Sequence, residues 1–274
     1  MKLTGLIAAL FFLSGCSGEA NPRKAETLLK MEDLGIIVDK EVQRNDPRDV
    51  SVVFDFSYTL LLPKEAALHK KNIEKYKSAF AALLEPLSKE ERDRLLNDTL
   101  KSADQQLAGG GTPATIQKLK KLGVNLMVCT NSLTKTKGKS TADIIGKLLQ
   151  KQGIELEFRN IPFAHSEFDE FKEYLGGYPS YDSGIITSNR SDKGLVLSAF
   201  FRRLPRTPRT VIFIDNNPQK TADVLKIADD FDDTKFVVCK YGEHENIPAP
   251  EISEREFIDF WRSKIAEMNF SRRN

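Results

Sequence analysis

Cysteine and histidine are scarce in this chain of 274 residues, with three of each. His69, His165 and His244 are scattered, so the sequence offers no Cys/His cluster of the spacing that holds a structural zinc. A disulfide framework is not signalled either. Cys129 and Cys239 each sit inside an apolar run, where a free thiol behaves as a small hydrophobe. Two thiols are favoured over a bridge between them, which an exported chain would permit. Excess charge of one sign is missing, with Lys+Arg 41 against Asp+Glu 39. That argues against a chain-wide attraction to nucleic acid, and no nucleic-acid partner is expected. The apolar run Leu6–Leu13 is too short to span a bilayer. Internal repeats and low-complexity tracts are absent. What remains is 40% hydrophobic and 29% charged residues, enough for one sizeable domain with a small accessory part.

What is present alternates. Short apolar runs at Ser51–Asp55, Val124–Cys129, Gly184–Thr187, Thr210–Ile214 and Phe236–Tyr241 are separated by helical patterns. Strands alternating with helices predict an α/β fold, a doubly wound parallel sheet. Ala25–Gly35 has helical periodicity and Gly35–Val38 reads as an edge strand. Thr112, at the N-cap, and Pro113 open a helix that Gly123 stops. Ile154–Ala164 has room for an extra strand, and Glu167–Tyr181 reads as surface structure near a site mouth. Ser253–Met268 is a C-terminal helix with Phe257, Phe260, Trp261 and Ile265 on one face. The lysine- and glutamate-rich segment Pro63–Leu100 is too long for an ordinary crossover. Residues 60–112 are therefore expected to form a small helical cap inserted after the first core strand.

The candidate chemistry sits where the apolar runs end. In VVFDFSYTLL (Val52–Leu61) a short strand delivers Asp55 to its C-terminal end, a recurrent placement for a nucleophile in an open α/β sheet. LMVCTNS ends in Thr130 and Asn131, whose hydroxyl and nearby backbone N–H groups suit phosphate oxygens. SNRSDKGLVLSAF opens a helix with Lys193, a point charge suited to phosphate and to the nucleophilic carboxylate. TVIFIDNNP ends in Asp215. An anion attacking an anion needs a cation between them, and Asp215 supplies a second carboxylate for Mg²⁺, a hard ion that takes oxygen ligands. Any one of these residues alone is more often a cap or a solvated side chain; the four in this order are what point to function.

The order Asp-x-x-x-Thr, Thr, Lys, Asp resembles the haloacid dehalogenase (HAD-like) superfamily over roughly Ser51–Tyr241. GIITSNRSDKGLVLSAFF with VIFIDNNPQK is most similar to the bacterial family DUF2608. The resemblance implies an aspartyl-phosphate on Asp55, phosphate binding by Thr130, Asn131 and Lys193, and Mg²⁺ held by Asp55, the Ser57 carbonyl, Asp215 and Asn216. It also exposes two departures. Family phosphatases carry an acid/base aspartate where this chain has Ser57, and serine cannot fill that role at neutral pH; general acid–base catalysis contributes about 10²–10⁴-fold. Asn216 stands where many members have a further acid. The expectation is a slow Mg²⁺-dependent phosphatase acting on a small phosphorylated molecule. The alternative is a degenerate protein that binds a phosphorylated ligand or a protein partner.

The N-terminus adds an address. Met1-Lys2, the apolar run and Leu13-Ser14-Gly15-Cys16 look like a bacterial lipoprotein signal over residues 1–15, with Cys16 as the lipid-modified first residue and residues 16–24 as a tether to a domain over residues 25–274. An ordinary signal peptide cleaved nearby is the other reading. With no aspartate after Cys16, the expected address is the periplasmic face of the outer membrane in the bacterial envelope.

Overall fold

The computed structural model describes residues 24–158 and 161–271. The signal segment, Cys16 and nearly all of the tether lie outside the described residues. Along the chain run β1 (Glu26–Leu28), α1 (Leu34–Val42), β2 (Val50–Phe54), β3 (Leu61–Pro63), α2 (Lys70–Lys75), α3 (Lys77–Leu84), α4 (Lys89–Ser102) and β4 (Gln105–Leu107). These lead to α5 (Thr112–Leu122), β5 (Asn125–Thr130), the short pair β6 (Lys135–Thr136) and β7 (Lys139–Ser140), then α6 (Thr141–Lys151) and β8 (His165–Glu167). The remainder is β9 (Ser180–Asp182), β10 (Ile185–Thr187), α7 (Lys193–Arg202), β11 (Thr210–Asp215), α8 (Pro218–Ile227), β12 (Lys235–Tyr241) and α9 (Glu254–Ser271).

Eight strands form one sheet in the order β1-β12-β11-β2-β5-β10-β9-β8. Neighbours from β1 through β10 are parallel, and β9 and β8 add antiparallel at one edge. Every residue of β2, β5 and β11 is buried. That explains why their sequences read as continuous apolar runs: a parallel strand covered on both faces has no solvent side to mark with polar residues. Alternate side chains feed two cores. Val52, Phe54, Leu126, Val128, Ile212 and Ile214 join residues of α1, α5 and α6, while Val53, Met127, Cys129, Val211 and Phe213 join those of α7 and α8.

Two terminal elements differ from expectation. The segment expected to be helical contains β1, whose Glu26–Leu28 pair with Cys239–Tyr241, and the expected edge strand is the start of α1. Edge pairing decides the first. Leu34 and Val38 buried with Ile36 exposed, the imprint of an amphipathic helix, decides the second. Thr112 is the first helical residue, with Gly111 at the cap, and Gly123 ends α5 in a left-handed conformation (φ 80°). The extra strand falls at His165–Glu167, just beyond the expected range.

Between β2 and β5 the chain builds a separate apolar cluster. Ala67, Leu68, Leu84 and Leu95 pack with Phe257 and Trp261 of α9, and the Phe80 and Trp261 rings lie 4.6 Å apart. The antiparallel pair β3–β4 closes the base of this insertion. Among the described residues no helix is long and apolar enough to cross a membrane.

Candidate active site at the strand ends

In this sheet β5 and β10 lie to one side of β2, while β11 and β12 lie to the other. The crevice outside the carboxyl ends of strands, where their order reverses, is where open α/β sheets bind ligands. Asp55 follows β2 directly, its N–H donating to the Ile214 carbonyl of β11 at 2.7 Å, and Asp215 ends that neighbouring strand. Lys193 is the first residue of α7, which Asp192 caps by accepting from the Leu195 N–H. Gly194 lets α7 lie close on α8; a Cβ there would stand 2.2 Å from the Asp223 carbonyl oxygen.

The Lys193 ammonium joins the two acids. Its Nζ donates to Asp55 Oδ1 at 2.5 Å and to Asp215 Oδ2 at 2.6 Å. Asp55, Lys193 and Asp215 are all buried. The other oxygen of each carboxylate meets neutral partners: Asp55 Oδ2 faces the Thr59 hydroxyl at 3.5 Å, and Asp215 Oδ1 accepts from the Asn217 N–H at 2.8 Å. Burial pulls the Lys193 ammonium down, but the Asp215 and Asp55 charges outweigh it and hold it above the ordinary lysine range. Burial, then the facing Asp55 charge, pushes the Asp215 carboxyl up to about 6 against the pull of Lys193. One ammonium does not offset two buried carboxylates.

The remaining expected residues sit at or just past the carboxyl ends of β2, β5 and β11. Thr130, ending β5, is buried, with its hydroxyl 3.0 Å from that of Ser132. Asn131 accepts from the Ser188 hydroxyl at 2.9 Å, which ties the loop after β5 to the loop after β10. Asn216 is buried and donates its backbone N–H to Thr59 Oγ1 at 3.1 Å. Thr59 therefore links the loop after β2 to the end of β11. Ser57 turns its hydroxyl to a group that the sequence reading passed over: Lys101 Nζ donates to Ser57 Oγ at 3.2 Å.

Lys101 belongs to a polar stripe on α4. Asp93, Asn97 and Lys101 are spaced by four residues and so share one face of the helix. Each meets a different loop of the site. Asp93 pairs with Arg190 of the loop after β10 at 3.3 Å and accepts from the Tyr174 hydroxyl at 2.7 Å. Asn97 Oδ1 accepts from the Leu133 N–H of the loop after β5 at 3.0 Å. Lys101 reaches Ser57, in the loop after β2, and its ammonium lies 4.0 Å from the Phe56 ring centroid.

Lys101 is 4% exposed, and among the described residues no carboxylate pairs with it. Taking an ammonium out of water costs several kcal/mol. A hydrogen bond to a hydroxyl and a cation–π contact each return about 1–2 kcal/mol. Burial accordingly pushes its pKa down to about 7; the Asp55 charge opposes the fall, and Lys193 and Arg190 reinforce it.

A profile of the family described as "Protein of unknown function (DUF2608)" matches residues 30–271. The chain belongs to the DUF2608 family. No curated protein matches it. The match covers every element that builds the site, from α1 to α9. Among the described residues of this DUF2608 chain no group of three or more His, Cys, Asp or Glu is gathered to hold a metal ion. The two carboxylates gathered at the strand ends are those of Asp55 and Asp215.

Proposed function

We propose that this DUF2608 protein is a HAD-like, doubly wound hydrolase that removes the phosphoryl group from a small phosphate monoester. The observation that carries the proposal is the Lys193 ammonium held between Asp55 and Asp215 at the ends of adjacent strands. In this reading an Asp55 carboxylate oxygen attacks phosphorus, the bond from phosphorus to the leaving oxygen breaks, and the electron pair departs with that oxygen. Water then cleaves the aspartyl-phosphate to orthophosphate and restores Asp55. Lys193 holds Asp55 in place and takes phosphoryl charge, together with Thr130 and Asn131. The helices between β2 and β5 act as the cap over the site.

The residues suit Mg²⁺. The donors are hard oxygens, and the pair of buried carboxylates carries more negative charge than the single Lys193 ammonium offsets. Asp55, Asp215, the Ser57 carbonyl and Asn216 would hold the ion. Bound there, it would neutralise charge on the reacting phosphoryl group. We extend the same reading to the envelope: a lipid on Cys16 would tether the enzyme at the periplasmic face of the outer membrane. Wild-type protein should partition into a detergent phase and Cys16→Ser into water; wild type staying in water after processing elsewhere sinks that address.

The deciding assay is p-nitrophenyl phosphate with excess Mg²⁺, whose leaving group departs without a proton. Wild type should turn it over slowly, and Asp55→Asn should fall by about 10³-fold or more, as expected when a nucleophile is removed. A second reading, ligand or partner binding without turnover, draws on Ser57, which presents a hydroxyl to Lys101 where an acid/base would act. Wild type that binds Mg²⁺ yet shows no turnover above Asp55→Asn selects it.

A further inference from the structure

We propose that Lys101 is a substrate-binding residue of the same site, carried there by α4, and that its ammonium binds an oxygen of the phosphate monoester dianion. The inference rests on the reading of Asp55 and Lys193 as a phosphoryl site.

Three features of α4 lead to it. Asp93 and Asn97 already fasten the helix to the loops after β10 and β5, through a paired charge and a neutral amide. A third fastening to the loop after β2 needs no charge, since a neutral side chain can hydrogen-bond Ser57 equally well. The helix nevertheless places there an ammonium that is 4% exposed. Of its three N–H donors, one goes to Ser57 Oγ, and the carboxylates at hand are both taken by Lys193. A buried cation with donors to spare beside a candidate nucleophile fits an anion that arrives from outside.

The charge count indicates which anion. With Lys101 protonated, Asp55 and Asp215 against Lys193 and Lys101 sum to zero, so the site as built has no surplus for a dianion. A divalent cation on the two carboxylates raises the sum to plus two, the match for a phosphate monoester and twice what a carboxylate ligand would use. Lys101 then contributes to affinity where Ser57 contributes only its hydroxyl and carbonyl.

The test measures orthophosphate binding by calorimetry at saturating Mg²⁺ on wild type, Lys101→Met and Lys101→Gln. Methionine keeps the length and fills the space; glutamine keeps a donor for Ser57. Both variants should retain Mg²⁺ affinity and lose about 10- to 100-fold in orthophosphate affinity, the effect of one charge-assisted contact. In turnover the loss should appear in KM before kcat. Phosphate affinity restored by glutamine would make Lys101 a fastening only and overturn the inference. So would variants that bind phosphate as wild type does, or a wild type that does not bind it. A wild type that binds phosphate through Lys101 but never hydrolyses an aryl phosphate upholds the inference and removes the hydrolase reading instead.

Discussion

Replacing Lys193 with methionine should lower the melting temperature by roughly 6–12 °C and abolish turnover. The substitution leaves two carboxylates facing each other in a site where Asp55 is 6% and Asp215 is 1% exposed. Removing one partner of a buried ion pair costs about 3–5 kcal/mol, because the remaining charge is stranded. In a domain of this size 1 kcal/mol corresponds to roughly 2–4 °C. The lower end of the cost is expected, since Asp215, already pushed up to about 6, takes a proton with little further penalty. The informative readout is Mg²⁺. A cation that bridges the two acids does for the variant part of what Lys193 does for the wild type. Added Mg²⁺ should raise the melting temperature of Lys193→Met by more than that of wild type. Equal shifts would place the cation away from Asp55 and Asp215.

Ser57→Asp should do little alone and much in combination. From the sequence, restoring an acid at position 57 promises a gain in the ~10²–10⁴-fold range of general acid–base catalysis. The structure changes that forecast, because Lys101 Nζ lies 3.2 Å from Ser57 Oγ. A carboxylate introduced there gains a buried ammonium as its nearest partner. The pair holds the new acid ionised, a poor proton donor, and withdraws Lys101 from any ligand. The single variant should melt higher than wild type and turn over an alkyl phosphate monoester, whose leaving group needs a proton, within about tenfold of it. In Ser57→Asp with Lys101→Met the acid is free, and turnover should exceed that of Lys101→Met alone by ~10²–10⁴-fold. A large gain in the single variant would show that Lys101 does not capture the carboxylate. No gain in the double variant would show that proton transfer is not what limits the site.

The parallel strands were legible because burial on both faces writes them as unbroken apolar runs, and the residue after each run is the one the sheet presents at its carboxyl edge. Asp55, Thr130 and Asp215 could be read from that rule, and Lys193 from its place at a helix start in their order. Lys101 could not. It lies in KEERDRLLNDTLKS, where nearly every helical face carries charge. The spacing of Asp93, Asn97 and Lys101 was present, but nothing local distinguishes a stripe that faces other loops from one that faces water. The same holds for α9, whose aromatic face was visible while its partner, the insertion after β2, was not. At β1 the leucine spacing suits a helix, and only the pairing with β12, over two hundred residues away, makes it a strand.

Cys129 and Cys239 have a consequence for how the protein matures. They lie on strands separated by β2 and β11, about 14 Å at ordinary strand spacing, and belong to opposite faces of the sheet. A disulfide needs Cα atoms within about 7 Å. Burial also pushes both thiols up to about 12, so at neutral pH both stay in the unreactive thiol form. Within the described residues, then, folding has no oxidative step. The domain from Lys24 onward should reach the same state in a reducing cytoplasm as in an oxidising envelope, with no oxidase or isomerase, and material made in either compartment serves every measurement above except the detergent partition of Cys16.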